Sequence, residues 1–158
     1  MKFQVIGFVL LLWSNIWSSE ILHTKIQILN SNDYNISATC DFIYALEEKI
    51  NNTLTNSPSK NIHFLRTSPN RYTKDEEISY YQYTTQDITI DFLKTNEKTI
   101  VYNAKFYNLS LTKSSLLSQL GIKVNISPSI EVGCDMIDLY LFFNSERLTA
   151  IEYSAYVD

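Results

Sequence analysis

Two cysteines, Cys40 and Cys134, and two histidines, His23 and His63, are all the thiol and imidazole groups in this 158-residue chain. Their spacing forms none of the close Cys/His pairs that zinc sites use. Read as a redox pair, the two thiols allow a single intramolecular disulfide. It would close a loop of ~95 residues and stabilise the fold by about 4–5 kcal/mol through the entropy of the unfolded chain. Two buried free thiols or an intermolecular bridge are the alternatives.

Carboxylates could supply acid–base chemistry as Asp87 with Asp91, or as Asp135 with Asp138. The first pair falls on strand positions that read as solvated. The second flanks a change of strand phase, as turn residues do. His63 lies in an apolar strand and reads as a core or edge histidine. The chain contains no Gly-x-Ser-x-Gly, no His-Glu-x-x-His and no phosphate-cradling glycine loop. Binding without catalysis, and without cofactor or metal, is the expectation.

The compartment is read from the first nineteen residues. Lys2 precedes the apolar run Phe3–Trp13, and Ser14-Asn15-Ile16-Trp17-Ser18-Ser19 follows, the pattern of a secretory signal peptide. Cleavage after Ser18 places Ile16 and Ser18 at the −3 and −1 positions. The apolar run is about half the ~20 residues a spanning helix needs, which argues against a retained anchor. The expected division is therefore a signal peptide over 1–18 and one domain over 19–158. Loss of Lys2 moves the formal net charge from −4 to −5. A mildly acidic surface without a Lys/Arg cluster disfavours nucleic acid and anionic membranes as partners. The short run Lys74-Asp75-Glu76-Glu77 reads as a solvated turn.

An extracellular chain can be glycosylated, and Asn35, Asn51, Asn108 and Asn125 each head an N-x-[ST] sequon. Asn108 shares parity with Ile100, Tyr102, Ala104 and Phe106, so an uninterrupted strand would bury it. A bulge or strand end near Tyr107 is expected. Tyr80, Tyr81 and Tyr83, with Tyr72 nearby, form an aromatic concentration. Strand alternation turns only one parity inward, which makes some of these rings a possible binding surface.

Several elements must position these groups. Ile43, Leu46, Ile50 and Leu54 recur at spacings of 3 and 4, which predicts an amphipathic helix over 38–54 with Ser37 as its N-cap. Strands are expected at Lys25–Leu29, Ile62–Leu65, within Ile78–Phe92, at Ile100–Phe106 and from Ile151 to Val157. Ser114–Leu120 suggests one or two helical turns ended by Gly121 in the left-handed region. From Ile122 to Met136 one parity is apolar throughout, so a long half-buried strand bent at Pro128 is expected.

One helix followed by antiparallel strands predicts an α+β fold, with the main N-terminal helix packed on a curved antiparallel sheet. This order resembles the cystatin-like and NTF2-like architectures in layout. The Gln-x-Val-x-Gly signature of inhibitory cystatins is absent, since Gln27-Ile28-Leu29-Asn30-Ser31 lacks its Val and Gly. The reading is a secreted, glycosylated binding module whose partner is an extracellular protein or a small apolar ligand. A protease-inhibitor-like role follows from layout alone.

Overall fold

A computed structural model describes residues 25–73 and 75–157. The expected signal peptide, residues 1–18, and His23 lie outside the described residues. The fold is α+β and mostly sheet. In chain order it comprises β1 (Gln27–Ile28), α1 (Ile36–Thr55), β2 (Ile62–Pro69), β3 (Glu77–Thr84), β4 (Ile88–Lys94), β5 (Thr99–Tyr107), α2 (Lys113–Gln119), β6 (Ser129–Cys134), β7 (Ile137–Asn144) and β8 (Arg147–Ala155).

α1 forms where the 3.6-residue period predicts it. Phe42, Ile43, Leu46 and Ile50 are buried, and Leu54 packs at the edge of the core. The cap is Asn35 rather than Ser37. Asn35 has extended backbone, and its Oδ1 accepts the Ala38 N–H at 3.0 Å, satisfying one of the helix's free donors. Ser37 already lies in the first turn.

All eight strands join one sheet in the order β1-β6-β7-β8-β5-β4-β3-β2. Two antiparallel meanders, β2–β5 and β6–β8, meet where β8 pairs with β5. The sheet is mixed rather than wholly antiparallel, because β1 pairs parallel with β6. β1 is also shorter than Lys25–Leu29. It contributes two register pairs, and beyond them Tyr34 stands in for a strand. Its Oη accepts the Gly133 N–H at 3.2 Å and donates to the Gly133 carbonyl at 3.1 Å.

Register explains which side chains share a face. Tyr83, Ile90, Ala104, Tyr153, Leu139 and Val132 form one row across the sheet, and Ile88, Phe106, Ile151, Leu141 and Ile130 form the next. Both rows are buried in one core with α1 and with Leu116 and Leu120 of the α2 region. The other face carries rows such as Gln82–Asp91–Asn103 and Lys105–Glu152–Tyr140–Glu131.

The long strand expected over 122–136 is a correction. Only Ser129–Cys134 is strand. Pro128 lacks an N–H for a ladder, and the residues before it follow a loop in which Val124 is exposed. Ile130, Val132 and Cys134 keep the inward parity. α2 ends as its sequence suggests. Gly121 has φ +66, its N–H bonds the Ser118 carbonyl, and the Ile122 N–H reaches the Leu117 carbonyl. These two bonds are the Schellman pattern.

Candidate interaction surface

Cys40 and Cys134 form the one intramolecular disulfide, with their Cα atoms 5.3 Å apart. It fastens α1 to the last residue of β6. The next two residues, Asp135 and Met136, make the connection to β7, and Asp135 adopts φ +54. Asp tolerates this left-handed backbone better than most side chains.

A group of side chains converges on that hairpin. Tyr44 lies four residues beyond Cys40, hence on the same side of α1. Its Oη donates to Asp135 Oδ2 at 3.0 Å. Just beyond β8, the Tyr156 N–H bonds the Met136 carbonyl at 3.1 Å, and the Tyr156 Oη donates to Asp138 Oδ2 at 2.8 Å. Each hydroxyl is fixed, yet the side chains face solvent: Tyr44 is 49% exposed, Met136 56% and Tyr156 65%. Hydrogen bonding to Asp135 raises the Tyr44 phenol above its ordinary value, and that to Asp138 does the same for Tyr156. Glu131 on β6, near Asp138 of the adjacent β7, is raised by burial and then by the Asp138 charge.

Sequence reasoning names Asp135, Asp138 and the two cysteines but not Tyr44, Met136 or Tyr156 as parts of one group. The signal was nevertheless present: a Cys40–Cys134 bond carries the residue one turn beyond Cys40 towards the residue after Cys134.

The tyrosine cluster divides between the two faces. Tyr83 is only 6% exposed and belongs to the core, which corrects its place in a binding surface. Tyr81 stacks on Phe92 with ring centroids 5.5 Å apart, on the same side of the sheet. Tyr80 points to the other face, where the Arg66 guanidinium lies 3.9 Å over its ring and Tyr102 meets it edge-on at 6.1 Å. Tyr102 is the extra residue of the β4–β5 bulge and therefore has no register partner. Tyr72 stands apart at 79% exposure.

The carboxylate pairs separate in the same way. Asp91 accepts from Gln82 Nε2 at 2.8 Å on the helix-free face, whereas Asp87 accepts from Asn108 Nδ2 at 3.1 Å at the strand's start. Asp135 and Asp138 flank a turn, each holding a different tyrosine. His63 is exposed on edge strand β2. Glu76 is more than a solvated turn residue: it accepts from Asn70 Nδ2, Thr73 Oγ1 and the Asn96 N–H at 2.8–3.0 Å.

All four sequon asparagines are exposed. β5 stops at Tyr107 and Asn108 has φ +53, the strand end that parity demanded. Asn35 uses only its Oδ1 in capping. Asn51 borders a solvent-open cleft of about 230 Å³ between α1 and the start of β5, with Glu47, Ile50, Ile100, Val101 and Tyr153. A second open depression, about 340 Å³, lies beside the N-terminus of α1 around Asp33, Tyr34 and Lys123. Among the described residues no group of three or more His, Cys, Asp or Glu is placed to hold a metal, and no helix is long and apolar enough to cross a membrane.

Comparison with protein-family models, with curated proteins and with solved structures finds no match to this chain.

Proposed function

We propose that this chain is a secreted, glycosylated single domain, residues 19–158, that binds another extracellular protein and performs no catalysis. The observation carrying this reading is the rigid, exposed group at the β6–β7 hairpin. Tyr44, Met136 and Tyr156 offer apolar contact area, while the disulfide and two tyrosine–carboxylate bonds hold their surroundings in place. Pre-ordered aromatic area lowers the entropic cost of association.

The disulfide and the signal-like N-terminus support an oxidising, extracellular setting. Exposure of all four sequons supports glycosylation. The cystatin-like or NTF2-like layout belongs to the same proposal, supported by α1 burying its apolar stripe on one face of the sheet. A small-ligand carrier would need room between helix and sheet. The middle of that space is filled by Ile43, Ile50, Ile90, Phe106 and Ile151, all at 0–1% exposure, and the cleft of about 230 Å³ at its edge is open to solvent rather than enclosed, which favours a protein partner.

The test is secretion of the full chain from a eukaryotic host, followed by comparison of extracellular-protein binding by the wild type and by Tyr44→Ala/Tyr156→Ala. Binding that the double variant loses, with the disulfide still formed, is the expected result. Equal binding by both, or stoichiometric uptake of a fluorescent fatty acid with no protein binding, would overturn it.

A further inference from the structure

We propose that the cleft between α1 and the start of β5 seats the first N-acetylglucosamine of a glycan carried on Asn51. This deepens the glycosylated-domain reading and rests on it. The place of the sequon is the first observation. Asn51 of Asn51-Asn52-Thr53 borders the cleft itself, whereas Asn108 Nδ2 is engaged by Asp87 at 3.1 Å and Asn125 borders neither depression. A helical side chain leans over the turn that precedes it, so the Asn51 carboxamide lies towards Glu47, four residues earlier. A sugar joined to Nδ2 therefore starts at the rim of the cleft.

The lining is the second observation. Ile50 is 1% exposed and Ile100 and Val101 are half-buried, an apolar wall for the C–H face of a pyranose and for the acetyl methyl. Glu47 and Thr99 supply polar groups for its hydroxyls. Glu47 Oε1 accepts the Tyr153 hydroxyl at 2.7 Å, which fixes the carboxylate and leaves Oε2 for a sugar O–H. Pockets that take drug-sized ligands measure roughly 300–1,000 Å³. At about 230 Å³ this cleft suits one hexosamine ring, and its open side admits a ring tethered at the rim.

Tethering makes the contact effective. So few contacts would hold a free sugar weakly, but an attached one is presented at an effective concentration on the order of millimolar. The seated ring covers the edge of the helix–sheet contact beside the Glu47–Tyr153 bond. Because it binds only the folded chain, it stabilises the fold.

The test uses the full chain secreted from a host that leaves its glycans high-mannose. Wild type, Asn51→Gln and the control Asn125→Gln are compared before and after an endoglycosidase that leaves one N-acetylglucosamine per site. Asn51 is exposed and Gln is a good helix former, so the substitution leaves α1 intact. Glycopeptide mass is expected to show Asn51 occupied, with NOEs from the acetyl methyl of its first ring to the Val101 and Ile50 methyls. Trimmed and untrimmed wild type should share one urea midpoint, above that of Asn51→Gln, while Asn125→Gln matches wild type. Refolded without glycans, wild type and Asn51→Gln should have equal midpoints. An unmodified Asn51 would overturn this inference together with the glycosylation reading at that sequon. An occupied Asn51 without these NOEs, and with the midpoint of Asn51→Gln, would overturn the inference and leave the glycosylated domain standing. An equal loss in Asn125→Gln, or a midpoint that falls on trimming, would likewise refute the seat.

Discussion

Tyr44 on α1 donates its hydroxyl to Asp135 at 3.0 Å, across the junction that the Cys40–Cys134 bond closes. The pair is local to the disulfide although its members are 91 residues apart. Because the hydrogen bond to Asp135, and then its charge, favours the neutral phenol, Tyr44 titrates above the ordinary value near 10. Asp135→Asn removes the charge and keeps an acceptor. The Tyr44 midpoint, followed by the pH dependence of its ring carbons in NMR, is expected to fall back towards that ordinary value. An unchanged midpoint would mean that Asp135 does not control this phenol.

The disulfide itself carries a stability prediction. Its loop spans a sequence separation of 94 residues, and the chain-entropy model assigns such a loop about 4–5 kcal/mol. Cys40→Ala/Cys134→Ala is expected to lose an amount of that order in urea unfolding, with a larger denaturant slope because the unfolded chain expands more. A loss below about 1 kcal/mol would show that the helix–sheet packing alone sets the stability.

The sequence reveals this fold best where one physical signal acts alone. α1 is legible because Ile43, Leu46 and Ile50 keep helical spacing, and the end of β5 because Asn108 cannot share the burial of Phe106. Local pattern fails where tertiary partners decide. Ile122–Ile126 has strand alternation, yet the strand begins only after Pro128, at Ser129. β1 is parallel because of where β6 lies, which no local period encodes. Tyr80 and Tyr83 read as one cluster, but alternation sends them to opposite faces. The hairpin group was hidden for a related reason: Tyr44 is 91 residues from Asp135 and Tyr156 follows the end of β8, so only the folded chain brings either ring to residues 135–138.

Gly121 tests the junction between α2 and α1. It holds φ +66, and a Cβ placed there would come within 2.9 Å of the Asn35 Cβ. Gly121→Ala therefore strains the backbone by about 1–2 kcal/mol and crowds the α1 cap. Thermal unfolding is expected to show a lower Tm than wild type. Amide exchange should become faster at Ala38, whose N–H the cap holds. Wild-type exchange at Ala38 would separate the two effects and refute the crowding.

Glu76 ties two loops together, accepting the Asn96 N–H and the side chains of Thr73 and Asn70. These bonds, the Asn96 N–H foremost, lower its carboxyl below the ordinary carboxylate value. A carboxyl lowered in the fold contributes stability above its unfolded pKa and loses it as pH falls through the folded one. Protection of the Asn96 amide is therefore expected to decline on acidification and to be low at all pH values in Glu76→Ala. Equal protection in wild type and variant would remove Glu76 from this role.

The alkaline side depends on Tyr153. This buried β8 tyrosine donates to Glu47 Oε1 at 2.7 Å, joining the middle of α1 to the sheet. Burial first, and then the hydrogen bond to Glu47, raises its phenol far above the ordinary value. The sign follows directly: the unfolded phenol loses its proton near ~10 while the folded one retains it. Stability is thus full below that pH and is lost as pH rises towards the folded pKa. Tyr153→Phe removes the titration and the hydrogen bond together. It is expected to cost about 1–2 kcal/mol at neutral pH and to flatten the decline in urea midpoint between pH 9 and 11. A variant as stable as wild type at pH 7, with the same alkaline decline, would show that the Glu47–Tyr153 bond does not hold the helix to the sheet.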